Sequence, residues 1–282
     1  WRLGVLIAYA MSDTPGSRTQ GVPMTTWTQL DREKRVYDPG DGKLVEALGS
    51  GHGGMFQQRL PLIFVPEMEW SPAFRDNHSH FFYIAAHYAQ QKKQPFLMSA
   101  STNPEGKVEY VSLPDNPRFA VDTTYDEFGT KPLALKLDEE FNIIEKKKDG
   151  EIVGDTTAFY YASTPHALAL GYLSNPAETI ALFKKAEMNI KVFCFPGGVP
   201  DSYGVTPGKP DRVSFRTLVL DQLLLILALQ GDGFHDDFEE GLKSLGVYEK
   251  ARKLYADEET FYPNVYPLKQ DALPVIDTDY SF

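Results

Sequence analysis

Cysteine is almost missing from this chain: Cys194 is the single copy in 282 residues. That excludes an internal disulfide and any cysteine-rich metal centre, and one cysteine fits any compartment. Long apolar runs are missing too, since no stretch reaches the roughly 18 residues that a membrane-crossing helix requires. Basic clusters are scarce. The longest is Lys146-Lys147-Lys148, in a chain of net charge −11, so neither nucleic acid nor another polyanion is an expected partner. There is no Gly-x-Ser-x-Gly elbow to expose a serine nucleophile, and no repeat of fixed period. No signal peptide is legible, although a chain that opens on Trp1 rather than Met reads as processed or as a piece of a longer one.

What is abundant is aromatic surface: 18 Phe, 15 Tyr and 3 Trp within a 42% hydrophobic composition. That is enough for one large core or two small ones. It also suits a protein that reads sugars, whose rings stack on aromatic faces. The strongest helical signal is residues 214–229, apolar almost all round and broken only by Asp221 and Gln222. Such a helix is expected to be enclosed by neighbours, with its two polar groups bonded or facing a polar cavity. Residues 3–11 read as the tail of a helix, 12–42 as a long loop, 44–48 as a short helix, and 55–65 as an apolar segment broken at Pro61. Residues 75–92 form an amphipathic helix capped by Asp76 or Asn77. Residues 133–153 read as a β-hairpin turning at Asp149-Gly150. Thr164-Pro165 and Asn175-Pro176 each start a helix, with Pro at the first helical position. Residues 236–256 add one or two amphipathic helices, and 261–282 a Pro-punctuated coil.

Few motifs carry chemistry. Gly49-x-Gly51-x-x-Gly54 has dinucleotide-fingerprint spacing but lacks the strand before it and the helix after it, so a turn is the better reading. His78 and His80 lie two apart and diverge on a helix, while His80 and His87 share a face without a nearby acid. Capping and surface polarity account for them, and no metal site is assigned. Cys194 sits in an apolar run as an inert buried thiol. Carboxylates remain: Glu67 and Glu69 beside Trp70 in one rigid loop, and Asp201 beside Tyr203 in a Gly/Pro loop before the apolar helix. Two carboxyl groups and aromatic faces are the equipment of glycoside hydrolysis.

The ordered set of residues 53–61 (Gly-Gly-Met-Phe-Gln-Gln-Arg-Leu-Pro), Asn77-His78, 95–101, 164–170 with 175–178, and 197–206 followed by 214–229 resembles glucoamylase-like domains. The relatives in question are β-1,2-glucanases and the glycan-trimming domain of cyclic β-1,2-glucan synthases. The resemblance implies a mostly α fold of (α/α)6-toroid type, complete or partial, with loops at one end forming a glycan cleft. It implies a catalytic carboxylate at Asp201, with Phe56, Arg59, His166 and Gln222 lining or supporting the cleft. Gln57 and Ala100 stand where several relatives carry Glu.

The expectation is a single toroid domain over 1–282 with the hairpin as an insertion, in which an α+β layout is the weaker option. Its function is hydrolysis of a glucan-type poly- or oligosaccharide. Asp201 would serve as base and Glu67 as acid, the latter held protonated near neutrality by burial. Trp27, Trp70 and Tyr203 would stack on sugar rings. Neither a cofactor nor a metal is required, and a polysaccharide substrate points to the periplasm or the cell exterior without fixing either. A non-catalytic glycan-binding or scaffolding protein on the same fold is the alternative. An unrelated α+β hydrolase using residues 49–54 for phosphate is the third reading.

Overall fold

The structure, a computed structural model, describes residues 2–12, 21–32, 34–40, 42–49, 54–91, 93–97, 99, 124–125, 132–133, 161–190, 198–205, 212–213 and 217–278. Cys194 and all but the first residue of the expected 133–153 hairpin lie outside them. In order the elements are α1 (Arg2–Met11), α2 (Thr25–Thr28), β1 (Lys34–Tyr37), β2 (Val45–Leu48), α3 (Met55–Phe64), α4 (Glu67–Trp70) and α5 (Pro72–Gln91). Then come β3 (Thr124–Tyr125), β4 (Pro132–Leu133), β5 (Tyr161–Ser163), α6 (Pro165–Gly171), α7 (Pro176–Ile190), β6 (Tyr203–Val205) and β7 (Arg212–Val213). The last are α8 (Val219–Leu229), α9 (His235–Ser244), α10 (Tyr248–Ala256) and α11 (Glu258–Phe261). Helices dominate, as the sequence predicts, and none among the described residues is long and apolar enough to cross a membrane.

The chain forms two compact units. Unit 1 gathers Trp1–Gly49, Arg59–Phe81 and Gln230–Leu273. Its core packs Leu6 and Ala10 of α1, Trp27, Trp70, Phe74, and Leu254 and Tyr255 of α10. Two buried acids knit that core. Glu67 receives Arg2 Nε and Nη2 at 2.6 and 2.7 Å, the Tyr255 hydroxyl at 2.7 Å, and meets His78 Nε2 at 2.9 Å. Glu258 receives Trp27 Nε1 at 3.0 Å, Arg32 Nε at 2.5 Å and the Tyr266 hydroxyl at 3.2 Å. Buried carboxylates persist only when paired and hydrogen-bonded, and both meet that condition.

Unit 1 departs from the sequence reading in several places. Residues 45–48 are a strand, not a helix, because β1, inside the expected long loop, pairs with them from Lys34↔Leu48 to Tyr37↔Val45. Pro61 sits inside α3 rather than breaking it, and Val65 N–H still bonds the Pro61 carbonyl at 2.8 Å. Helix α5 starts before Asp76 and Asn77: Pro72 opens it and Ser71 Oγ accepts the Phe74 N–H at 3.4 Å. Asn77 is therefore mid-helix, and its Oδ1 receives Leu48 N–H at 2.7 Å. His78 and His80 are buried rather than on the surface; His80 Nδ1 meets the Glu46 carbonyl at 2.7 Å.

Unit 2 comprises Ser50–Gln58, Phe82–Leu229 and Pro274–Phe282. A three-stranded antiparallel ladder, β5-β6-β7, leads into α6, which packs against α7 and α8. Thr164 caps α6 as expected: its backbone is extended and its hydroxyl accepts Ala167 N–H at 3.1 Å. All seven residues of α6 are buried. It is α6, not the leucine-rich helix, that neighbours enclose. The leucine-rich helix begins at Val219, and Val219, Leu220, Leu223 and Ile226 leave one face exposed. Its buried side is Asp221, Leu224, Leu225 and Ala228, a stripe at helical spacing that the short α6 can cover.

Candidate active site

The ladder decides which side chains meet. In the β5-β6 pair, Ser163 lies opposite Tyr203. The strands are antiparallel, so moving forward from Ser163 into α6 matches moving backward from Tyr203 into the preceding loop. His166 and Asp201 therefore arrive at the same end of the ladder, one in the first turn of α6 and one two residues before β6. Helix α8 packs on α6 and brings Asp221, in its own first turn, to the same place. His166, Asp201 and Asp221 are all buried, and one ligand-type atom from each lies within 4.8 Å of the others.

The loop that carries Asp201 is held by Gln222. The Gln222 amide accepts the Val199 N–H at 3.1 Å and donates to the Val199 carbonyl at 2.9 Å, as a neighbouring strand would. Gly198 makes the approach possible. Its φ is +117°, and a Cβ there would lie 3.0 Å from Gln222 Oε1 and 3.2 Å from Thr217 Cγ2. Tyr203, which follows Asp201 in β6, is buried.

Electrostatics divide the three polar groups. Burial pushes the Asp221 carboxyl up to about 9, and its hydrogen bond to Asp201, with that group's charge, pushes the same way. Near neutrality Asp221 is a carboxylic acid, and the proton of the pair rests on it. Burial lowers His166 to about 4, against the pull of Asp201, so its imidazole is neutral. His166 Nδ1 is 3.5 Å from Asp221 Oδ1, and its Nε2 is 3.4 Å from Thr164 Oγ1.

The structure thus gathers four of the expected site residues, Asp201, His166, Tyr203 and Gln222, in unit 2, and adds Asp221. The signal for Asp221 was in the sequence, as a carboxylate within an apolar helix; its pairing with Asp201 was not. Phe56 also belongs to unit 2, half-buried in the first turn of α3, with its N–H 3.3 Å from Ser99 Oγ.

The remaining expected residues belong to unit 1. Glu67 departs from the protonation assigned to it. Burial alone would raise its carboxyl, but Arg2 and His78 outweigh that and bring it down to about 2. It is an anion near neutrality, not a stored acid. Trp27 is fully buried, its ring 5.0 Å from that of Tyr255 and its indole N–H spent on Glu258. Trp70 is buried with its ring 5.6 Å from Tyr255 and its indole N–H 3.1 Å from Glu239. Both rings face core neighbours, where the sequence reading set them against sugar. Arg59 is fully buried and donates to the His78 carbonyl, with its pKa lowered by burial to about 9.

No family model and no curated protein matches this sequence. Two solved structures do. One is the endo-β-1,2-glucanase of Talaromyces funiculosus in complex with sophorose, at TM-score 0.55 and 12% identity. The other is a glutamate-to-glutamine variant of that enzyme with β-1,2-glucan, at TM-score 0.53 and 11% identity. Each match covers 88% of this chain and 44% of the other, so this chain spans less than half the length of the structures it matches. At such identity the likeness concerns the fold. The mostly α, toroid-type class that the sequence resemblance implied is the fold class of this chain.

Proposed function

We propose that this chain is a glycoside hydrolase domain acting on a β-1,2-linked glucan, with Asp201 as the base that activates water. The observation that carries the reading is the Asp201–Asp221 pair. Asp221 holds a proton near neutrality and gives its hydrogen bond to Asp201. Asp201 is thereby oriented by Asp221 and by the Gln222-clamped loop, which is the preorganisation a general base needs. His166 closes the cluster as a neutral imidazole. The substrate class comes from the endo-β-1,2-glucanases that share the fold. Asp201 and Asp221 are too close to flank one glycosidic bond, since cooperating carboxyls stand about 5–9.5 Å apart. The pair therefore serves one side of the bond. Glu67 carries no proton near neutrality, so the leaving-group acid is another residue.

Asp201→Asn is expected to abolish release of reducing ends from β-1,2-glucan while leaving the thermal transition in place. Unchanged turnover would remove Asp201 from the mechanism. A second reading, a glycan-binding or scaffolding protein on the same fold, is favoured by the anionic state of Glu67 and by the enclosure of Trp27 and Trp70. Calorimetric titration with β-1,2-gluco-oligosaccharides beside the reducing-end assay separates the two: heat without product selects the second.

A further inference from the structure

We propose that His166, Asp201 and Asp221 form a binding site for one divalent transition-metal cation, best matched by zinc. Three separate elements supply the donors: α6 one imidazole, the 198–202 loop one carboxylate, and α8 another. Among the described residues no other group of three His, Cys, Asp or Glu side chains converges in this way.

His166 and Asp221 each keep a buried atom that hydrogen bonding leaves over. His166 Nδ1 makes no hydrogen bond although the side chain is 97% enclosed, and Asp221 Oδ2 is likewise buried without a partner. Groups in that condition are costly unless something else satisfies them. His166 Nδ1 points at Asp221 Oδ1 from 3.5 Å, too far for a good hydrogen bond. That distance is close to the edge of a tetrahedron with bonds of about 2.1 Å, which is roughly 3.4 Å, the geometry zinc takes with nitrogen and oxygen ligands.

The surroundings fit as well. Thr164 Oγ1 lies 3.4 Å from His166 Nε2 and can accept its N–H, leaving the Nδ1 lone pair for the two acids. Two carboxyl groups side by side in a buried place need a positive charge between them, and a proton or a cation can supply it. One nitrogen and two oxygens suit zinc, whereas calcium and magnesium seek six or more oxygen ligands. A cation held here would occupy the Asp201 carboxylate, so under the proposed function it switches hydrolysis off. That consequence rests on the hydrolase reading; the binding does not.

The test is titration of the metal-stripped full chain with zinc, in competition with a chromogenic chelator at neutral pH. One equivalent is expected to bind at micromolar strength or tighter, with millimolar magnesium failing to compete. Asp221→Asn and His166→Gln are each expected to weaken binding at least tenfold, with cooperative melting as the check on folding. Should either variant not fold, cobalt decides on the unmodified protein: intense visible bands of a low-coordinate ion support the site, and the faint spectrum of hydrated cobalt overturns it. No stoichiometric zinc on the folded chain, or equal binding by both folded variants, also overturns it. Cleavage of β-1,2-glucan is followed in parallel on the stripped chain. Cleavage that proceeds without zinc and stops with it supports both readings. If neither sample cleaves, the hydrolase reading fails while the zinc site still stands or falls on its own titration.

Discussion

Gln222 holds Val199 by both of its backbone groups, at 3.1 and 2.9 Å, and so fixes the loop two residues before Asp201. A side-chain amide here does the work of a strand that the loop lacks. The clamp reaches 23 residues back in sequence and lies one position from Asp221, so one helical turn both orients the loop and meets its acid.

Gln222→Ala is expected to cost about 1–3 kcal/mol, because it leaves both backbone groups of the buried Val199 without the side chain that bonds them. Turnover on β-1,2-glucan should fall more than tenfold, with kcat affected more than KM. Melting and steady-state kinetics on one preparation check both, and a stability loss with full turnover would mean the clamp does not position Asp201.

Asp221→Asn separates charge from shape. In the metal-free protein Asp221 titrates at about 9 when folded and near 3.8 when unfolded. Between those values the folded state holds a proton that the unfolded chain has released, so this group makes stability fall as pH rises. Asparagine keeps the donor and removes the titration. The variant should match the parent near pH 4 and melt several degrees higher at pH 8. Parallel melting curves from pH 4 to 8 would refute this reading of the pair.

Glu67 has the opposite sign. Its folded value of about 2 lies below the ordinary 4.5, so its stabilisation is present above pH 4.5 and is lost as pH falls toward 2. His78, lowered by burial to about 4 despite Glu67, adds a loss that starts as pH falls below 6.5. The contribution of this pair should therefore begin to fall near pH 6 and fall more steeply below 4.5. Glu67→Gln should remove the steep part and cost about 3–5 kcal/mol at neutral pH, since it leaves Arg2 facing a neutral amide. Urea melts at pH 7 and pH 4 measure both effects.

Gly171 closes α6 under the ring of Phe82, where a Cβ would lie 2.5 Å from Cε2 and 2.9 Å from Thr179 Oγ1. Gly171→Ala should cost about 1–3 kcal/mol through overpacking. Phe82→Leu in the same chain should recover part of it, and a strictly additive double variant in melting experiments would show that the two do not press on each other.

What the sequence revealed depended on how local each signal was. Thr164-Pro165 and Pro176 placed α6 and α7 almost to the residue, because a cap and a proline act within one turn. Asp221 and Gln222 stood out for the same reason, as polar groups in an apolar helix. The strand at residues 45–48 is not legible in the sequence because four residues carry no period of their own until β1 pairs with them. The cap of α5 is ambiguous in the sequence because Ser71, Asp76 and Asn77 are all competent caps, and Asn77 is diverted to Leu48. The Asp201–Asp221 pair was invisible for a further reason: it depends on the register of β5 against β6, and neither short strand announces its partner.

Unit 1 is assembled from three separated stretches of chain, and Glu258 bonds Trp27 and Arg32 across 231 and 226 residues. During synthesis α1 and α2 emerge well before their buried partners on α10 and α11 are translated. The early helices must wait, with apolar faces uncovered, while the whole of residues 82–229 is made. Ribosome-bound intermediates shorter than about residue 260 thus have no means of closing this core, and such long waits are where chaperones engage nascent chains.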